Sequence, residues 1–114
     1  MEFKVVNLKE FNPSVEIALA NLDIELELGK KSNLKAIKFI HGYGSHGTGG
    51  AICLAVRRHL INLAKNKKIK FYITGSEWTL EDERAREIIY ACPSSSLDED
   101  IGHFNPGITI VCIK

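Results

Sequence analysis

Five glycines and two histidines crowd into twelve residues, Phe39-Ile40-His41-Gly42-Tyr43-Gly44-Ser45-His46-Gly47-Thr48-Gly49-Gly50. This segment joins an apolar run, Ala36 to Ile40, to a helical pattern from Ala51 to Lys65. Glycines at a strand-to-helix turn leave backbone N–H groups free at the positive end of the helix dipole, a setting suited to phosphate. His41 stands at the carboxyl end of the strand, where ligands gather in open α/β sheets. A neutral imidazole there can donate to, or accept from, a phosphate ester or a water. Tyr43 offers a ring on which a base or sugar can stack. The expected phosphate-binding set is His41, Gly42, Tyr43, Gly44, Ser45, Gly47, Thr48, Gly49 and Gly50. His41 and His46 are the candidate catalytic residues, since two imidazoles can share acid and base roles in RNA cleavage without a metal. The plainer alternatives are a turn needed only for tight packing and, for His46, a solvent-exposed loop side chain.

Other phosphate loops are excluded. Gly42-x-Gly44-x-x-Gly47 has the form of the dinucleotide fingerprint, but it follows the second strand rather than the first. The acidic ribose partner expected about 20 residues on is replaced by Phe71-Tyr72-Ile73-Thr74. The Gly42–Gly47 spacing also suits a nucleoside-triphosphate loop, yet Thr48 stands where the lysine must be. His41, His46, His59 and His103 share no ligand spacing with one another or with a cysteine pair, so no metal and no cofactor are expected. Cys53, Cys92 and Cys112 are odd in number, far apart and set among apolar residues, as reduced core thiols are.

Net charge is +1, from 15 basic and 14 acidic residues in 114. No global field gathers anions, so any anion site must be local. A local basic stretch, Arg57, Arg58, Lys65, Lys67, Lys68 and Lys70, can track a nucleic-acid backbone or merely solvate a helix end. No run nears the roughly 18 apolar residues of a membrane span, and Met1–Leu8 lacks a signal-peptide core. A cytoplasmic protein without a membrane partner is the expectation.

The elements that must position these residues follow from periodicity. Met1–Leu8 reads as a strand. Asn12-Pro13 reads as an N-cap and first helical residue, and Val15, Leu19, Leu22 and Leu26 carry the helix to Leu28, with Gly29 after it. Ala36–Ile40 is the second strand, and Ile52, Val56, Leu60 and Leu63 mark the second helix. Ile69–Thr74 is the third strand. Thr79-x-x-Asp82 resembles a capping box for a third helix over Leu80–Ala91. Leu97–Asn105 is a polar loop, with Asp98-Glu99-Asp100 either solvated or holding a cation, and Ile108–Ile113 is the last strand. Trp78 either caps the core or offers a stacking platform. The first two crossovers contain helices and imply parallel neighbours; the last strand can pair either way.

With His41-Gly42-x-Gly44 between strand and helix, and Gly107-Ile108-Thr109-Ile110-Val111 at the end, the chain resembles the Smr (small MutS-related) domain. The resemblance runs from Val5 to Ile113. It implies an α/β (α+β) two-layer sandwich, β-α-β-α-β-(α)-β, with helices on a mixed four-stranded sheet. The whole chain, 1–114, is then one Smr-like domain with an extra helical insertion at about 75–105. The implied partner is nucleic acid, RNA or DNA, in DNA repair or RNA processing. The implied activity is that of an endonuclease on RNA or structured DNA.

Departures from the family pattern bear on that activity. The family's L-D-L-H-G segment falls on Val6-Asn7-Leu8-Lys9-Glu10. Members that cleave are thought to use the acidic and histidine positions, here Asn7 and Lys9. Asn7 cannot serve as a general base or hold a cation as a carboxylate does. Lys9 can bind phosphate as a point charge. The family's Leu-Arg at the start of the second helix becomes Ile52-Cys53, and the loop Ser45–Gly50 is longer. If the first two strands are neighbours, Lys9 and His41 stand side by side and complete a phosphate cradle. Two further readings stay open: a module for a small phosphorylated ligand, and a catalytically inactive interaction domain.

Overall fold

A computed structural model describes residues 3–43 and 49–114. Four strands form one mixed sheet: β1 (Phe3–Asn7), β2 (Ala36–Ile40), β3 (Phe71–Thr74) and β4 (Ile108–Cys112), in the order β1-β2-β4-β3. β1 and β2 are parallel, as the helical crossover between them requires. β4 lies between β2 and β3 and is antiparallel to both. Pairing Phe39 with Thr109 and Ile40 with Ile108 sets the start of β4 beside the end of β2.

Alternation along the strands divides the core. Ile37, Phe39 and Val111 face α1 (Val15–Lys31) and α2 (Gly49–Lys65), meeting Leu22, Leu26, Val56 and Leu60. Ala36, Ile73, Ile108, Ile110 and Cys112 face the other way, against Trp78 and α3 (Glu83–Ala91), which contributes Ala85 and Ile88. The two layers expected from the sequence therefore gain a third, because segment 75–107 covers the second sheet face. Trp78 is a core residue there, fully buried and stacked on Phe3 with ring centroids 6.2 Å apart.

Several boundaries differ from expectation, each for a local reason. α1 starts at Val15: the N-cap is Ser14, whose hydroxyl accepts from Ile17 N–H at 3.2 Å, and not Asn12. Gly29 lies inside α1 rather than beyond it. A Cβ there would stand 2.8 Å from Ile113 Cδ1, so this glycine lets the helix approach the sheet. The left-handed residue that ends the helix is Asn33, at φ 64°. α3 starts at Glu83 because Asp82, not Thr79, caps it, accepting from Arg84 and Ala85 N–H. A 3-10 turn, Pro93–Leu97, leads from α3 into the expected polar loop.

Lys38, in the middle of β2, is 2% exposed. Its ammonium meets Asp98 at 2.9 Å and Asp100 at 2.5 Å. Trp78 Nε1 donates to Asp98, and Asn105 Nδ2 donates to Asp100. Burial alone would lower the Lys38 pKa, but the two carboxylates outweigh it and raise the value. The acidic run read as a solvated loop or cation site is thus an internal counter-charge. Among the described residues, no helix is long and apolar enough to cross a membrane.

Candidate functional site

The carboxyl ends of β1, β2 and β3 and the start of β4 meet along one edge of the sheet. Leu8 N–H donates to Ile40 carbonyl at 2.7 Å and carries the β1–β2 pairing one residue further. Asn7 Oδ1 then accepts from Lys9 N–H at 3.0 Å and turns the chain. Lys9 is exposed and its stem crosses Gly42: a Cβ on Gly42 would lie 3.3 Å from Lys9 Cδ and 3.8 Å from its Nζ. Gly42 itself has φ +72°, the left-handed region open to glycine at little cost. Lys9 and the start of the glycine loop are thus brought together. Tyr43, 61% exposed, follows directly.

His41 is placed otherwise than a surface acid/base would be. It is fully buried. Nδ1 lies 2.8 Å from Gly42 carbonyl and Nε2 2.8 Å from Thr109 Oγ1. A carbonyl can only accept, so the network assigns the proton to Nδ1 and leaves Nε2 accepting from the Thr109 hydroxyl. Burial pushes the pKa below the ordinary imidazole value. The Gly42 carbonyl pulls it back up, and the Arg57 charge adds to the lowering. This is a neutral imidazole with both nitrogens engaged. The N–H groups of His41 and Gly42 both donate to Gly107 carbonyl, at 2.9 and 3.0 Å, so neither is aimed at a ligand.

No protein-family model and no curated protein matches the sequence. Among solved structures, the Smr domain of Thermus thermophilus MutS2 is similar in fold, with a TM-score of 0.60 at 21% identity. The likeness covers 97% of this chain and 98% of that one. The chain is an Smr-like domain in fold.

In this Smr-like domain two further substituted motif positions, besides Lys9, have visible tasks. Asn7 makes the turn after β1, and Cys53 is a buried thiol, 3% exposed, on the inner face of α2. Gly49 and Gly50 open α2. Gly44, Ser45, His46, Gly47 and Thr48 lie outside the described residues.

The basic stretch is not one surface. Lys70 pairs with Glu87 on the far end of the sheet. His59, within the stretch, meets Asp23 at 2.7 Å. Arg57 instead lines a cleft of about 300 Å³ with Thr74, Gly75, Ser76 and Pro106, beside the edge that carries His41 and Thr109. The spacing of Arg57 on α2 carried no sign of that cleft, because its other four lining residues come from segments 74–76 and 106. Lys38 was easier to miss than it need have been: a lone cation in the apolar run Ala36–Ile40 needs buried carboxylates.

Proposed function

We propose that this Smr-like domain binds nucleic acid along the strand-end edge, with Lys9 and the segment Gly42–Tyr43 gripping a backbone phosphate, and that it binds without using His41 as an acid or base. The observation that carries this reading is the Lys9 ammonium lying over Gly42 with Tyr43 exposed beside it. A lysine point charge suits a backbone phosphate, and an exposed ring suits a base. Two more aromatics flank the same edge: Phe11, 91% exposed after β1, and Phe104, 62% exposed before β4. Both hold left-handed backbone conformations that no glycine supplies, at φ 65° and 55°. Exposed rings spaced by cations favour unpaired strands, whose bases can unstack onto them, over duplex.

Fluorescence anisotropy with labelled single-stranded RNA, single-stranded DNA and duplex, each over a salt series, tests this. Single strands should bind more tightly than duplex, and affinity should fall steeply with salt. Lys9→Ala should flatten the logarithmic salt slope by about 0.7. Tyr43→Ala should weaken binding by about tenfold while leaving the slope unchanged. Absence of binding at low salt removes the reading. A shallow slope with mononucleotide binding as tight as that of an oligonucleotide favours a small phosphorylated ligand instead.

A further inference from the structure

Among the buried side-chain polar atoms of the described residues, the guanidinium of Arg57 stands out for incomplete bonding. Its Nε is buried and has no hydrogen-bond partner among the described residues. Buried donors are almost always paired, because an unmade bond costs free energy that folding must offset elsewhere. Nor does any carboxylate among the described residues answer its charge. Two other arginines are engaged by contrast: Arg84 meets Glu77 at 2.6 Å, and Arg86 donates to Leu80 carbonyl at 2.9 Å.

The surroundings of Arg57 are arranged for an anion. The cleft beside it presents the Thr74 and Ser76 side chains, the Gly75 backbone and the ring of Pro106, with no acidic residue among the described residues that line it. Glu77, next in sequence to Ser76, has both carboxylate oxygens engaged. One of its oxygens accepts from Thr74 N–H and Oγ1, and the other from Arg84. Thr74 spends its own proton on Glu77, so Ser76 Oγ is the donor in its 2.9 Å bond to Thr74 Oγ1, and at its exposed position the hydroxyl reaches a ligand by turning from Thr74. Gly75 cannot move aside. A Cβ there would lie 1.6 Å from Asn105 carbonyl oxygen, so the floor of the cleft is packed against the segment that leads into β4.

We infer that this cleft is an oxyanion site, in which the Arg57 guanidinium and the Ser76 hydroxyl hold a phosphate group. A planar fork of N–H donors beside a hydroxyl matches a tetrahedral oxyanion, and charge-assisted bonds of this kind are the strong ones. The cleft is lined by other residues than Lys9 and Gly42 and lies on the β3–β4 side of them, its wall Pro106 preceding Gly107, whose carbonyl accepts from His41 and Gly42 N–H. It does not depend on the proposed grip beside it. The phosphate can be free or can belong to a strand lying along the edge.

The test is a ¹H–¹⁵N NMR titration of the full chain that follows the arginine Nε–H signals and the amides of Thr74, Gly75 and Ser76. Inorganic phosphate is added against sodium chloride at matched ionic strength. Arg57 Nε–H and the three amides should move saturably with phosphate and stay still with chloride. Arg57→Gln should weaken the response by about tenfold or more. Ser76→Glu, at an exposed position that leaves the core intact, should abolish it by supplying a carboxylate of its own to Arg57. An Arg57 signal that phosphate does not move would overturn the site and mean that water completes the guanidinium. So would a response equal in chloride, or one unchanged in Ser76→Glu. A second arm repeats the titration with a single-stranded oligonucleotide. Movement of Arg57 with both ligands assigns the phosphate to a strand, and movement with free phosphate alone assigns it to a small ligand. Failure of all oligonucleotide binding removes the proposed function and leaves this site standing.

Discussion

His41 is conspicuous in the sequence by its type and neighbours, and the fold gives it a structural task that the sequence does not display. Its place between a strand and a glycine loop suggested proton transfer. In the fold it is a buried two-sided clasp, joining Gly42 carbonyl to Thr109 Oγ1 at 2.8 Å each, and so fixing the start of the loop on β4. Burial disfavours the charged imidazole and the Arg57 charge adds to this, so the pKa falls below 6.5 although the Gly42 carbonyl raises it. Above pH 6.5 the folded and unfolded chains both hold this imidazole neutral, and its contribution to stability is complete. Below that value the unfolded chain takes up the proton first, so stability declines as pH falls toward the folded-state pKa and levels off beneath it. The slope in that window cannot exceed about 1.4 kcal/mol per pH unit for one group. Urea midpoints measured from pH 8 to pH 5 should therefore fall more steeply for the wild type than for His41→Asn. The variant should start about 1–3 kcal/mol lower at pH 8, having lost a buried hydrogen-bonded group. Should the domain cleave RNA, and should His41→Asn abolish cleavage while leaving binding and the melting curve intact, the clasp would have to give way to a catalytic role. The type of residue at 41 was visible in the sequence. Its burial was not, because Thr109 lies 68 residues away and reaches His41 only through the antiparallel β2–β4 pairing.

At the scale of elements, the strands and helices were legible where periodicity is strong, and the ends were misread where one residue had two plausible tasks. Gly29 is the clearest instance. A glycine before two lysines suits a helix end, yet α1 continues to Lys31 and Gly29 is buried against Ile113 and Ile37. The antiparallel placement of β4 was likewise open in the sequence, since the connection from α3 constrains neither direction. Two glycine substitutions separate close packing against a side chain from close packing against backbone. In Gly29→Ala the new methyl meets the tips of Ile113 and Ile37 at 2.8 and 3.2 Å, which can shift, and the helix gains about 1 kcal/mol of propensity. The net change in denaturant midpoint should be small, within about 1 kcal/mol. In Gly75→Ala the methyl would fall 1.6 Å from Asn105 carbonyl, a backbone atom held by the Asn105–Gly107 turn, where Asn105 Oδ1 accepts from Gly107 N–H at 2.8 Å. That variant should lose about 3 kcal/mol. It should also disturb the amides of Ser76 and Gly107 in an NMR spectrum, since both ends of the turn must separate. Equal losses in the two variants would mean that propensity, not contact, governs both sites.

For the molecule as a whole, the question is what holds the third layer on. Segment 75–107 could have been an appendage to an otherwise sufficient sheet with two helices. Two connections argue that it is part of the core: the apolar contact of Trp78, Ala85 and Ile88 with Ile73, Ile108 and Ile110, and the charges of Asp98 and Asp100 on Lys38. The second is the more decisive, because Lys38 sits at the centre of β2 and would otherwise be a naked charge on a sheet face. The reverse also holds. Burial would raise the Asp100 pKa, yet the Lys38 ammonium and the Asn105 amide pull it below 3.8, so its contribution is present above that value and lost as pH falls through the folded-state pKa. Acid should therefore loosen this layer through Asp100, adding to any general carboxylate effect. Removing one partner is more damaging than removing all. Lys38→Met leaves two carboxylates buried side by side, and should cost about 3–5 kcal/mol in urea unfolding at pH 7. The triple change Lys38→Met, Asp98→Asn, Asp100→Asn removes every charge while keeping an acceptor for Trp78 Nε1, and should recover at least half of that loss. Trp78 fluorescence reports the layer directly, since its indole is buried and donates to Asp98. In Lys38→Met the emission should shift red before the helical signal at 222 nm is lost. If instead the two signals change together in every variant, the third layer has no stability of its own to lose, and sheet and segment unfold as one unit.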